Sequence, residues 1–423
     1  MGEDRCRGAL DKLLSELVPK KERGLEKLSK SELIERAKRH IFSLGLNDVA
    51  SYLCRLNMKF GLAKIHYAQY KLGMEPNATF ISAPDETVTR NKVRWESGIG
   101  YGGKVSWGSG EDKVTILDVM PNACGMLVGG LKDLLEPREV MNNIYGLKRN
   151  EVFIDDIKVS WDFHVGNHFI DMFRVVKVTE IDLPDYIFII HSAAPELQGE
   201  NHKGLGLYYH KSRVLKERMK EVKTPFGPCR VVLDGDAKEY YKFFRYAEEF
   251  AKKRRRLAAT EIFGDFIEII NETHQGLLNY NEIALGCHYI NQQGQMFPIA
   301  LRADLPAYLV RGNLNLSEET IEALGFYKRA EKLGVMDRLK NLNILPHGGG
   351  YTFPDMLEAS GEVEIDNKRY FITEMKSGIG QKIISSTEGM PFMYRGREVI
   401  VRTIELRMCD IVARLMPIYV LKI

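Results

Sequence analysis

Apolar positions recur every three to four residues early in the chain. Leu33, Ile34, Ala37, Ile41 and Phe42 share one helical face, and Ser29 with Glu32 ahead of them forms a capping-box pattern. Residues 1 to about 75 are therefore expected to be helical. Pro76-Asn77 and Pro84-Asp85 then read as turns. Six glycines fall between Gly98 and Gly110, and short apolar runs of β character follow. Val114 to Val119, 151–160, 169–178, 186–190 and 231–233 read as strands. One long helix interrupts them at about 237–258, with Tyr240, Phe243, Phe244, Ala247, Phe250 and Ala251 on one face. A further helix is expected at about 317–342, and a hairpin over 362–374 turning at Asp366-Asn367. Closing strands are expected at 397–405 and 417–421. The pattern predicts an α+β protein in two parts. Residues 1–90 form a helical, basic N-terminal extension, and 91–423 a single large domain with mixed sheets.

Composition narrows the class without naming it. The chain has 423 residues, enough for a large core, and its 44% hydrophobic and 28% charged residues are those of an ordinary globular protein. No apolar run reaches the ~18 residues of a spanning helix, and the start lacks the apolar core of a signal peptide. A cytoplasmic protein with no membrane partner is expected. Six cysteines without paired spacing argue against a disulfide framework. A net charge of +3 does not establish a nucleic-acid partner. Two local clusters bear on that question: Lys20, Lys21, Arg23, Lys27, Lys30, Arg36, Lys38 and Arg39, and the run Lys252-Lys253-Arg254-Arg255-Arg256. The second falls at the expected end of the long helix. There the helix dipole alone favours cations, and a phosphate backbone is the competing explanation.

The chemistry concentrates elsewhere. His347 is followed at once by Gly348, Gly349 and Gly350. Residues without Cβ let the backbone approach a phosphate, and a neighbouring imidazole can act on phosphorus. Cys124 stands in a turn before Gly125, His168 follows Gly166-Asn167, His191 ends an apolar strand, and His274 lies in or near a helix. A thiolate with several imidazoles suits a borderline divalent metal. His164, His202, His210 and His288 have comparable local settings, and spacing alone does not choose among them.

Taken in order, these segments resemble the RtcB family of RNA-splicing ligases, from about residue 98 onward. Gly100-Tyr101-Gly102-Gly103 is similar to an early glycine motif of the family, and Cys124-Gly125 to its metal loop. Val165 to Phe169 resembles the Gly-Asn-His-Phe motif, Phe188 to Ser192 the Ile-His segment, and Tyr240 to Ala247 the family's tyrosine helix. His347 to Gly350 is similar to the His-Gly-Ala-Gly motif, and Val412 to Lys422 to the C-terminal signature. The resemblance implies a ligase dependent on GTP and manganese, with zinc as the alternative metal. It would join RNA 3′-phosphate or 2′,3′-cyclic phosphate ends to 5′-hydroxyl ends, helped by an activating protein. It implies Cys124, His168, His191 and His274 as metal ligands and His347 as the guanylylated residue. Asn167, Gly348, Gly349 and Lys422 would be nucleotide contacts. Pro121 stands where the family has a metal aspartate, for which Asn122 or Asp118 could substitute. Tyr351 replaces an arginine, Arg302 and Ala303 a nucleotide-contacting loop, and Ile423 a terminal glycine. A homologue that binds RNA ends without ligating them is the alternative.

Overall fold

A computed structural model describes residues 24–164, 166–366, 368–378 and 380–422. Lys20, Lys21, Arg23, Val165, Asn367 and Ile423 lie outside the described residues. The architecture is α+β, built on one eleven-stranded sheet. Its order is Ile41–Phe42, Thr79–Thr87, Tyr101–Ser106, Glu282–Leu285, Ile267–Asn279, Cys124–Leu131, Tyr186–Ser192, Phe169–Lys177, Cys409–Leu421, Ala307–Gly312 and Met296–Ile299. Only the first pair is parallel.

The strand pairing crosses the boundary expected near residue 90. Phe80 pairs with Val105, and Ile41 with Phe80, so the early segment supplies the sheet's first two strands. The capping box at Ser29 and Glu32 is present, and Lys30–Lys38 is helical. Helix Val49–Lys71 is buried on nearly all sides rather than along one stripe. Its buried Lys64 forms an ion pair with Asp118 at 2.7 Å, and buried His66 hydrogen bonds the Ala78 carbonyl at 2.8 Å.

Elsewhere local physics reshapes several expected elements. The long helix runs Asp234–Phe263, so the Lys252–Arg256 run sits inside it, away from its C-terminus. The helix expected over 317–342 is three short ones, Glu318–Ala323, Tyr327–Lys332 and Met336–Lys340. Gly325 and Gly334, both at positive φ, break it. Residues 397–405 form helix Glu398–Glu405, not a strand. Val399, Ile400 and Thr403 turn inward at helical spacing despite their β-branched character. Val114–Ile116 is a strand, but it pairs with Cys229–Leu233 in a separate three-stranded sheet. The 151–160 segment is only a two-residue hairpin, Phe153–Ile154 with Ile157–Lys158. Met356–Ile365, Lys368–Met375 and Gln381–Ile384 form another three-stranded sheet, which includes the expected hairpin. No helix among the described residues is long and apolar enough to cross a membrane. The five described cysteines are free and buried.

Candidate metal centre

Three neighbouring central strands carry the site. Cys124 opens its strand, with Met126 opposite His191 on one side and Gln275 opposite Cys124 on the other. Alternation places Cys124, Met126 and His191 on one face. His274 lies in a strand, not in a helix as the sequence suggested. The register shifts between Thr273 and Gln275, leaving His274 as the extra residue of a bulge. Bulges re-aim side chains, and this one turns His274 toward the other donors.

The turn before Cys124 is strained and held. Met120 and Ala123 both adopt positive φ, 51° and 54°, which costs L-residues roughly 1–2 kcal/mol each. Asn122 Oδ1 accepts from the Cys124 N–H at 2.9 Å, and Arg94 donates to the Met120 carbonyl at 2.8 Å. Asn122 is thereby committed to the turn. Asp118 is buried between Lys64 and Arg230 at 2.7 and 3.2 Å, so it does not stand in for the missing aspartate at Pro121.

The donors converge. Cys124 Sγ lies 3.1 Å from His191 Nε2 and 3.5 Å from His168 Nε2, and His191 Nε2 lies 3.1 Å from His274 Nε2. Relative exposures are 2% for Cys124, 8% for His168, 1% for His191 and 0% for His274, so no bulk water competes for these atoms. His191 donates from Nδ1 to the Asn167 carbonyl at 3.0 Å, and His168 Nδ1 pairs with Asp162 at 2.8 Å. In His191, whose Nδ1 proton is committed to that carbonyl, this leaves Nε2 with its lone pair toward the sulfur. Carbonyls and carboxylates behind the outer nitrogen are the usual backing of metal-bound histidines. His274 Nδ1 is buried without a hydrogen-bond partner. Cys124, His168 and His191 together can hold a metal ion.

Electrostatics divide the three histidines: His191 and His274 are neutral, whereas His168 is protonated and would release a proton on binding a metal. Burial lowers His168, but its contacts with Cys124 and Asp162 outweigh it and raise the ring to about 10. Burial raises Asp162, yet the His168 contact and Arg254 bring it down to about 2. His191 and His274 are driven well below the ordinary imidazole range, chiefly by burial, and are neutral, as a ligand must be.

His347 stands beside this cluster, its ring centroid 4.6 Å from that of His274 and 6.3 Å from that of His191. Asp85 fixes it. One carboxylate oxygen accepts from His347 Nδ1 at 2.9 Å, from its backbone N–H at 3.2 Å and from Gly348 N–H at 3.4 Å. The Gly349 N–H donates to the Ala300 carbonyl at 3.1 Å, so both expected nucleotide-contacting amides have partners within the protein. Gly350 has φ 64°, and a Cβ there would meet the Asp85 carbonyl oxygen at 2.5 Å; only glycine fits. Asn167 reaches His191 through its carbonyl. Lys422 donates to the Gly166 carbonyl at 2.6 Å, one residue before Asn167.

Sequence reading missed four contributors. Asp85 was expected in a turn but lies fully buried in strand Thr79–Thr87. Asp162 carried one signal, an acid six residues before His168. Arg254 and Arg255 were expected at a helix end, yet both are fully buried. Arg254 pairs with Asp162 at 2.7 Å and Glu196 at 3.1 Å. Arg255 donates to Asn271 at 2.7 Å and packs against Gly125. Lys252, Lys253 and Arg256 pair with Glu272, Asp155 and Glu268, so these cations too have partners within the protein. Of the competing histidines, His164, His202 and His210 are exposed, and buried His288, its ring centroid 5.6 Å from that of His274, gives Nε2 to the Pro298 carbonyl at 2.8 Å.

Comparison of the chain with models of known protein families and with curated proteins returned no match.

Proposed function

We propose that this chain is a divergent RtcB-type RNA ligase, which joins RNA 3′-phosphate or 2′,3′-cyclic phosphate ends to 5′-hydroxyl ends using GTP. The observation that carries this reading is the pairing of His347 Nδ1 with Asp85 next to the Cys124 cluster. A proton held at Nδ1 leaves the Nε2 lone pair as the nucleophile. That nitrogen attacks the α-phosphorus of GTP; an N–P bond forms, the bond to the bridging oxygen breaks, and pyrophosphate leaves. A 2′,3′-cyclic end first adds water, breaking the bond from phosphorus to O2′. The RNA 3′-phosphate then takes the guanylate from His347, the N–P bond breaking, and its phosphorus becomes susceptible to the 5′-hydroxyl, with GMP as leaving group. Manganese, or zinc in its place, held by Cys124, His168, His191 and His274, would supply charge neutralisation at phosphorus. Asp85 orients the ring, and burial keeps water from the intermediate.

The experiment is incubation with α-labelled GTP and manganese, followed by acid treatment. An acid-labile label on the protein is expected, abolished in His347→Ala and slowed on the order of 10³-fold in Asp85→Asn. Absence of label, or label surviving His347→Ala, would refute the reading. One observation favours the RNA-end binder instead. With Pro121 in place of an aspartate, the donors are one thiolate and imidazoles, a set for a single borderline cation. One bound metal without labelling supports the binder, whereas two manganese ions with labelling support the ligase.

A further inference from the structure

Away from the metal centre, a cleft of ≈ 560 Å³ opens between helix Val49–Lys71 and the segment around helix Tyr327–Lys332. Five cations line it, Lys38, Arg55, Lys59, Arg329 and Arg402, and no aspartate or glutamate is among its lining residues. Some of that charge is compensated from outside the wall. Lys59 pairs with Glu362, Arg402 with Glu405 at 3.2 Å, and Arg55 loosely with Glu86 at 3.9 Å. Lys38 reaches only the exposed Glu35, at 3.8 Å.

Arg329 is the exception that points to a ligand. Its guanidinium lies over the rings of Phe42 and Phe326, with centroid distances of 4.4 and 5.3 Å. It has no carboxylate within salt-bridge distance among the described residues, and its Nε is buried without a hydrogen-bond partner. Burying a guanidinium with an unused donor is unfavourable unless something accepts from it. Stacking on aromatics fixes its plane, which suits forked recognition of phosphate oxygens. Tyr52, 41% exposed, stands at the same cleft with Arg55 over its ring. A cavity of this volume lies within the ~300–1,000 Å³ of small-molecule sites.

We propose that this cleft binds a phosphorylated nucleotide, its phosphates on Arg329, Lys38 and Arg402 and its base against Tyr52. The ligand is a free nucleoside triphosphate or a nucleotide unit of an RNA strand; both present the same groups. The site is independent of the ligase reading, since none of its residues touches His347 or the cysteine–histidine cluster.

The test uses full-length His347→Ala protein in EDTA, so that the metal centre contributes nothing, titrated calorimetrically with ATP and separately with a ten-nucleotide oligouridylate. Saturable binding of one probe per chain is expected, weakened about tenfold or more by Arg329→Met and by Arg402→Met, and less by the exposed Lys38→Ala. Tighter binding of ATP assigns a free nucleotide, and tighter binding of the oligonucleotide assigns a strand. Thermal melting of each variant separates lost binding from lost folding; should Arg329→Met unfold, Arg402→Met and Lys38→Ala decide. Failure of both probes to saturate overturns the proposal. So does binding unchanged in the folded variants, or competition by inorganic phosphate as effective as that by ATP.

Discussion

Asp85 and Glu86 are adjacent acids on one buried strand with opposite assignments. Asp85 accepts three hydrogen bonds around His347 through one oxygen, whereas Glu86 faces Ser43 and Arg55; each keeps its other oxygen buried without a partner. Burial raises Glu86 from 4.5 to about 7, with Arg55, Ser43 and Arg395 opposing and Asp48 adding to the rise. The native state therefore holds this proton more tightly than the unfolded chain. Its contribution to stability is complete below about pH 4.5 and is lost as pH climbs through about 7. Between pH 4.5 and 8 the wild type should lose about 3 kcal/mol relative to Glu86→Gln. Urea unfolding of both proteins across that range checks the sign; parallel curves would refute it. At this scale the sequence disclosed the chemistry-bearing residues and hid their supports. Cys124, His168 and His347 stand beside glycines and His191 ends an apolar strand, although those settings alone did not separate them from the other histidines. Asp85 looks like any acid after a proline, because only the fold brings it to a residue 262 positions away.

At the level of elements, legibility followed periodicity. The long helix buries one regular face, and the strands at 169–177 and 186–192 are apolar runs with consecutive buried residues; both patterns showed in the sequence. Helix Val49–Lys71 has no polar stripe to read because it is enclosed, with cations paired inside. The bulge at His274 could not be seen either, since a single skipped register leaves no mark on composition. Enclosure also decides what the helix tolerates. Glycine to alanine in a helix ordinarily gains about 1 kcal/mol. At Gly61, however, a Cβ would lie 2.2 Å from the Gly98 carbonyl oxygen, backbone against backbone. Gly61→Ala is expected to destabilise by about 1–3 kcal/mol. A denaturation midpoint equal to or above that of the wild type would contradict this.

Considered whole, the molecule does not divide where its sequence texture does. The change from helical to glycine-rich character near residue 90 is real, but two strands and a buried helix from before it complete the main sheet and core. Deletion of residues 1–90 should abolish cooperative unfolding, because Tyr101–Ser106 would become an open edge and a large apolar surface would be bared. A monomeric fragment with a sharp thermal transition would show instead that the remainder folds alone. The strand Cys409–Leu421 carries a related consequence. It lies inside the sheet, between Phe169–Lys177 and Ala307–Gly312. A polypeptide emerging from the ribosome therefore has two unpaired seams until that strand is made. Termination or stalling ahead of Cys409 leaves those seams free to recruit other chains, so exposure to aggregation persists until this strand is in place.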